Sequence, residues 1–160
     1  KDPLIQPVIT LATAVPKSDR FRWLVEKATE LGVRRLIPVR TERSVVHPGD
    51  GKLEKMQAAS IAACKQCGRN DLLVIQPVQD WTEMLHQTAQ LPKLIAHPEG
   101  QPMRESLAAI NREPQVVLIV GPEGGLSDGE IELARAAGGE VVHLGRSILR
   151  IETAALSMVA

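Results

Sequence analysis

The sequence predicts an α/β domain built on a mostly parallel sheet with helices packed against it. Short apolar runs of strand length alternate with segments of helical periodicity along all 160 residues. The apolar runs are nearly continuous, as strands covered on both faces tend to be. Glycines at 32, 68 and 138–139 stand where helices should stop before the next strand.

Taken in order, Val8 to Ala14 reads as the first strand. Phe21, Leu24, Val25, Ala28 and Leu31 then recur at helical spacing and end at Gly32, which suits a C-terminal cap. Leu36 to Val39 is the second strand. A helix follows from about Lys52 to Cys67, stopped by Gly68, and Leu72 to Ile75 is the next strand. Trp81 to Ala89 reads as helix, Leu94 to Ala96 as strand, Pro98 to Pro102 as a turn, and Met103 to Ile110 as helix. After the strand Val116 to Val120, Ser127 and Glu130 have the spacing of a capping box, so a helix begins there and runs through Ala137. Val141 to Leu144 is the last strand, and a final helix starts near Glu152. Its face with Ala154, Ala155 and Met158 reads as exposed and too apolar for water, which predicts a second copy of the chain against it.

The length fits one domain with a single substantial core. Hydrophobic residues at 44% and charged residues at 24% are ordinary for a globular protein, and no apolar run approaches a membrane span. With no leader recognised ahead of Lys1, a cytoplasmic protein is expected. Cys64 and Cys67 lack a second pair to complete a zinc site, and the histidines at 47, 86, 97 and 143 have no metal spacing, so no metal is expected. Net charge is zero, but residues 1–70 hold 13 Lys and Arg against 7 Asp and Glu, while residues 71–160 hold 6 against 12. This asymmetry predicts a basic face for nucleic acid, unless the charges mix on folding.

Two blocks carry the chemistry. Gly121-Pro122-Glu123-Gly124-Gly125-Leu126-Ser127-Asp128-Gly129-Glu130 and Leu144-Gly145-Arg146-Ser147-Ile148-Leu149-Arg150-Ile151-Glu152-Thr153-Ala154 each follow or close an apolar strand, which delivers a loop to the carboxyl edge of the sheet. The crowded glycines permit positive φ and close approach of a ligand to main-chain amides. No Lys-Ser/Thr follows them, which excludes a P-loop, and they do not follow the first strand, which excludes the dinucleotide fingerprint. Alone, the glycine block reads as a tight turn with no ligand before it reads as a site. Ile148 and Leu149 are apolar in a loop, and plug the core, wall a flat ligand such as an adenine ring, or do both.

Together the blocks resemble the signature of the SPOUT methyltransferases, specifically the RsmE-type 16S ribosomal RNA uracil-N3 methyltransferases. The resemblance extends upstream to Arg22-Trp23-Leu24-Val25-Glu26-Lys27-Ala28-Thr29-Glu30-Leu31-Gly32-Val33, Pro38, Thr41-Glu42-Arg43-Ser44 and Ala63-Cys64-Lys65-Gln66-Cys67-Gly68-Arg69. It implies a SPOUT-type α/β knot, a deep trefoil in the C-terminal part, with S-adenosylmethionine as cofactor, 16S rRNA of the small subunit as substrate, and a homodimer. It also implies an RNA-binding barrel of the PUA type ahead of this domain and a longer last helix, so that residues 1–160 correspond to the catalytic domain. Ala62 stands where the family has an acidic residue, and Ser147 where it has the first arginine of Leu-Gly-x-Arg-Ile-Leu-Arg.

The resemblance assigns cofactor binding to Leu94, Ile95, Ala96 and His97, to Gly121, Pro122, Glu123, Gly124 and Gly125, and to Leu144, Gly145, Ser147, Ile148, Leu149 and Thr153. Arg150 is the first choice to hold a developing uracil anion, because it directly follows the cofactor loop; Arg69 is the second. Glu123 either orients the cofactor or accepts a proton, and Glu152 suits a structural role at the helix start. Arg43, Arg69 and Arg146 are candidates for RNA contacts, a phosphate contact being favoured for Arg43. The alternative is a non-catalytic RNA-binding module on the same fold.

Overall fold

The computed structural model describes residues 6–17 and 19–160. The chain runs β1 (Val8–Thr13), α1 (Arg20–Glu30), β2 (Arg35–Arg40), α2 (Asp50–Cys67), β3 (Val74–Ile75), β4 (Gln79–Asp80), α3 (Trp81–Gln87), β5 (Lys93–Pro102), α4 (Met103–Ile110), β6 (Gln115–Val120), α5 (Asp128–Ala136), β7 (Gly139–His143) and α6 (Ile151–Val159). Strand pairings among the described residues are parallel, in the order β3-β2-β1-β6-β5-β7, with the short β4 beside the end of β2. The chain builds outward from β1 to β3 and then crosses to the other side of β1. The sheet therefore has its switch between β1 and β6, where crevices open outside the carboxyl ends of strands.

Both faces of the sheet are covered, which explains the unbroken apolar runs. Leu11, Leu94 and Leu118 pack on Phe21, Leu24, Val25 and Ala28 of α1, Met56 of α2, Ile110 of α4 and Met158 of α6. Their neighbours in sequence, Ala12, Ile95, Val117 and Ile119, face the other way onto Trp81, Met84 and Leu85 of α3 and Ala134 of α5. The period of two along each strand thus feeds two cores. Gly32, at φ 93°, ends α1 as expected: its N–H reaches Thr29 O and the Val33 N–H reaches Ala28 O, the paired bonds of a Schellman cap.

Two expectations are corrected. Ala154, Ala155 and Met158 are not an exposed face: they are buried in the chain's own core, because α6 lies on β1, β6 and α1. Pro98 to Pro102 is not simply a turn but part of β5. Ala96 and Gln101 both pair with Val142, so the intervening residues loop out and the strand rejoins β7 at the same residue. Gly100 makes this possible, since a Cβ there would sit 2.5 Å from Val142 N. The charges of the two halves also meet across the fold. Arg20, Arg34, Arg40 and Arg69 each pair with an acidic residue of the second half.

Lys93 is the one lysine fully buried among the described residues, and its ammonium donates to the carbonyls of Ala89, Leu91 and Ala137 at 3.3, 2.7 and 3.2 Å. It joins the segments following α3 and α5 beneath the sheet. Burial pulls its pKa below the usual lysine range.

Candidate functional site

A cavity of about 620 Å³ opens at the carboxyl ends of β5, β6 and β7. Its walls are Ala96–Pro98, Val120–Leu126 and His143–Leu149, closed from below by Ile151 and Ala154 of α6 and from the side by Arg43. The size falls within the range of small-molecule sites.

The glycine loop is shaped from within. The Gly125 N–H donates to Pro122 O at 2.9 Å, and Gly125 takes φ +78°. Leu126 folds back so closely that a Cβ on Gly121 would lie 2.8 Å from its Cγ. The next residue starts α5 with the predicted capping box: Ser127 Oγ accepts from Glu130 N, and a Glu130 carboxylate oxygen accepts from Ser127 N at 2.9 Å. Glu130 also uses its other oxygen to accept from Glu42 N at 2.8 Å. That bond anchors a turn in which Thr41 N donates to Ser44 Oγ at 2.9 Å. The turn lays Arg43 across the glycine loop, its guanidinium donating to Gly124 O at 3.1 Å, with its Cβ 3.3 Å from where a Gly124 Cβ would be.

In the other loop Gly145 takes φ +140°, and its N–H donates to His143 Nδ1 at 3.2 Å. Leu149 turns partly inward onto the core, whereas Ile148 is 90% exposed. Leu149 thus plugs the core, and Ile148 is left open beside the cavity. On β5, His97 Nδ1 accepts from Glu99 N at 3.2 Å, which fixes the ring at the rim.

Of the residues expected at a site, Ala96, His97, Gly121, Pro122, Glu123, Gly124, Gly125, Leu144, Gly145, Ser147, Ile148, Leu149, Arg43 and Arg146 line this cavity. Leu94 and Ile95 do not; they are buried one on each face of the sheet and act by carrying Ala96 to the rim. Thr153 is exposed on α6 outside the lining. Arg150 is exposed at the N-cap of α6, between the lining residues Leu149 and Ile151, with no ion pair among the described residues.

Arg69 sits elsewhere. Its guanidinium donates to Thr29 O and Val33 O around the α1 terminus and to Asp71, whose carboxyl the Arg69 hydrogen bond holds below the usual carboxylate range. Ala62 is exposed on α2, outside the cavity, while Ser147 lines it.

Sequence reasoning did not single out Arg20. Its guanidinium lies 3.5 Å from Glu123 and 3.7 Å from Glu152, joining the glycine loop to the first turn of α6. No local pattern marks it, because both partners are distant in sequence. Among the described residues no cluster of His, Cys, Asp and Glu could hold a metal, and no helix is long and apolar enough to cross a membrane.

A parallel sheet with this crevice defines an α/β ligand-binding domain, and sequence comparison gives its family. Residues 4–160 match the model of the RNA methyltransferase domain, and the chain belongs to that family. It is 31% identical over 159 residues to ribosomal RNA small subunit methyltransferase E of Bacillus subtilis, across 92% of this chain and 62% of that protein. With the protein of the same name from Synechocystis it shares 36% identity across 91% of this chain and 50% of the relative. The chain therefore spans between half and two thirds of these curated relatives. The crystal structure of the methyltransferase E of Neisseria gonorrhoeae bound to S-adenosyl methionine superposes with a TM-score of 0.86 at 34% identity, covering 96% of this chain and 64% of that one.

Proposed function

We propose that this chain is the catalytic domain of an enzyme that transfers the methyl group of S-adenosylmethionine to N3 of a uridine in 16S rRNA of the small ribosomal subunit. The observation that carries the reading is the coincidence of the two signature loops in one cavity at the strand ends, in a fold shared at 34% identity with a cofactor-bound relative. In this reading the enzyme is a cytoplasmic homodimer, and its last strand and helix make the knotted passage that the family resemblance implies.

The residues present fit the cofactor. The backbone at Gly125 is open to close approach, since a Cβ there would meet only Arg43 at 3.9 Å. Leu144, Ile148 and Leu149 would wall an adenine ring, with Ala96 and His97 opposite. When bound, S-adenosylmethionine supplies an electrophilic methyl group. N3 of uracil must lose a weakly acidic proton, which passes to solvent water at the open cavity, and the negative charge spreads onto O2 and O4 until N3 takes the methyl group. Arg150, uncommitted beside the cavity, holds that charge, and alignment of the base with the methyl group supplies most of the rate. Glu123 serves to position rather than to take the proton, and Arg146 at the rim meets RNA phosphate.

Calorimetric titration tests the cofactor directly. S-adenosylmethionine should bind at one site per chain, while ATP should not bind, because no lysine follows the glycines to meet a triphosphate. Binding of ATP in preference to S-adenosylmethionine would refute the reading. Light scattering at micromolar concentration should give the mass of a dimer; a monomer would remove the dimer from the proposal.

A further inference from the structure

Arg20 links the two loops that form the cavity. Its three guanidinium nitrogens face three different segments: Nε the Lys17 carbonyl at 3.4 Å, Nη2 the Glu123 carboxylate at 3.5 Å, and Nη1 the Glu152 carboxylate at 3.7 Å. Glu123 belongs to the glycine loop, and Glu152 to the helix turn that ends the second loop. The Glu152 side chain is only 7% exposed, and its second oxygen is buried with no hydrogen-bond partner. A buried carboxylate in that state depends on its one cation. Without Arg20 the two walls of the cavity would also carry two carboxylates with nothing between them.

We propose that Arg20 is a positioning residue that sets the separation of the glycine loop and the second loop, and through it the affinity for the cofactor. This rests on the functional reading above. The contacts are longer than tight charge-assisted hydrogen bonds, which leaves room for them to shorten as the two loops close on a ligand. Arg20 does not touch the cavity itself. Its effect therefore passes through Glu123 and Glu152.

The test is a cycle of variants read by calorimetry with S-adenosylmethionine, well below each variant's melting temperature. Arg20→Met should weaken binding about tenfold, the change that removing one partly buried ionic link brings. Arg20→Lys, which keeps the charge but cannot span three partners, should recover part of the loss. Glu152→Gln should weaken binding severalfold, and Arg20→Met with Glu152→Gln should bind no worse than Arg20→Met alone, because both remove the same link. A purely structural arginine would lower the melting temperature and leave affinity unchanged. Affinity within twofold of the wild type in Arg20→Met, or losses that multiply in the double variant, would overturn the proposal. Should Arg20→Met not fold, Arg20→Lys and Glu152→Gln decide it: unchanged affinity in both overturns it. A wild-type protein that binds no S-adenosylmethionine overturns the functional reading itself, an outcome distinct from wild-type binding that the variants leave unaltered.

Discussion

Gly125→Val is expected to abolish cofactor binding while the protein remains folded. At φ +78° the backbone is left-handed, a region that costs an L-residue about 1–2 kcal/mol and a β-branched one more. Gly125 also closes the loop with its bond to Pro122, so relieving the strain means giving up the turn. The branched side chain would enter the open space in front of the amides, which only Arg43 approaches. The fold should survive because the loop lies beyond the sheet edge and the core strand β6 ends before it. Calorimetry should show no measurable heat of S-adenosylmethionine binding, with a far-ultraviolet spectrum like that of wild type. Gly129→Ala is the matched control. It lies in α5 with nothing within 4 Å of a new Cβ, so it should bind normally and gain about 0.5–1 kcal/mol in stability. Normal binding by the folded valine variant would remove the glycine loop from the site.

What the sequence made legible was local. Helix α1 ends at Gly32, α5 begins with the Ser127–Glu130 box, and the apolar runs locate the long strands, because periodicity and caps are properties of neighbouring residues. The two signature loops were legible for the same reason: each is a contiguous block at the end of a strand. What escaped depends on partners far along the chain. Nothing near Arg43 announces that it will lie on Gly124, 81 residues away, and the bond from Glu42 to Glu130 that puts it there spans 88. The same holds for Arg20. In the sequence the apolar face of α6 reads as exposed because its pattern is that of any amphipathic helix; which surface covers such a face is decided by topology, and here α1, β1 and β6 cover it. The looped course of β5 hid behind Pro98, Gly100 and Pro102, residues that mark a turn and here mark a turn set inside a strand.

Three arginines should separate into three different readouts. Arg150→Ala is expected to lower methyl transfer by a factor of roughly 100 to 1,000 with cofactor affinity nearly unchanged, because the charge it meets appears only as the uracil proton leaves. Its side chain is exposed and unpaired among the described residues, so removing it leaves no buried partner stranded. Arg43→Ala should act earlier. It loses the bond to Gly124 O and the packing over the glycine loop, so its effect should appear as weaker cofactor binding. Arg69→Ala should act on stability, since it removes the guanidinium bonds to Thr29 O, Val33 O and Asp71 around the end of α1 and leaves Asp71 to Arg34 alone, a loss of about 1.5–3 kcal/mol for charge-assisted bonds of this kind. Thermal melting, calorimetric affinity and single-turnover methyl transfer to small ribosomal subunits resolve the three cases, with the last assay run on the longest form of the protein. If Arg69→Ala stays stable and loses turnover while Arg150→Ala keeps it, the anion is held by the Gln66–Arg69 segment. Because Arg69 lies outside the cavity of its own chain, that result would require the segment to reach the cavity of a second copy, and the active site would then be composite.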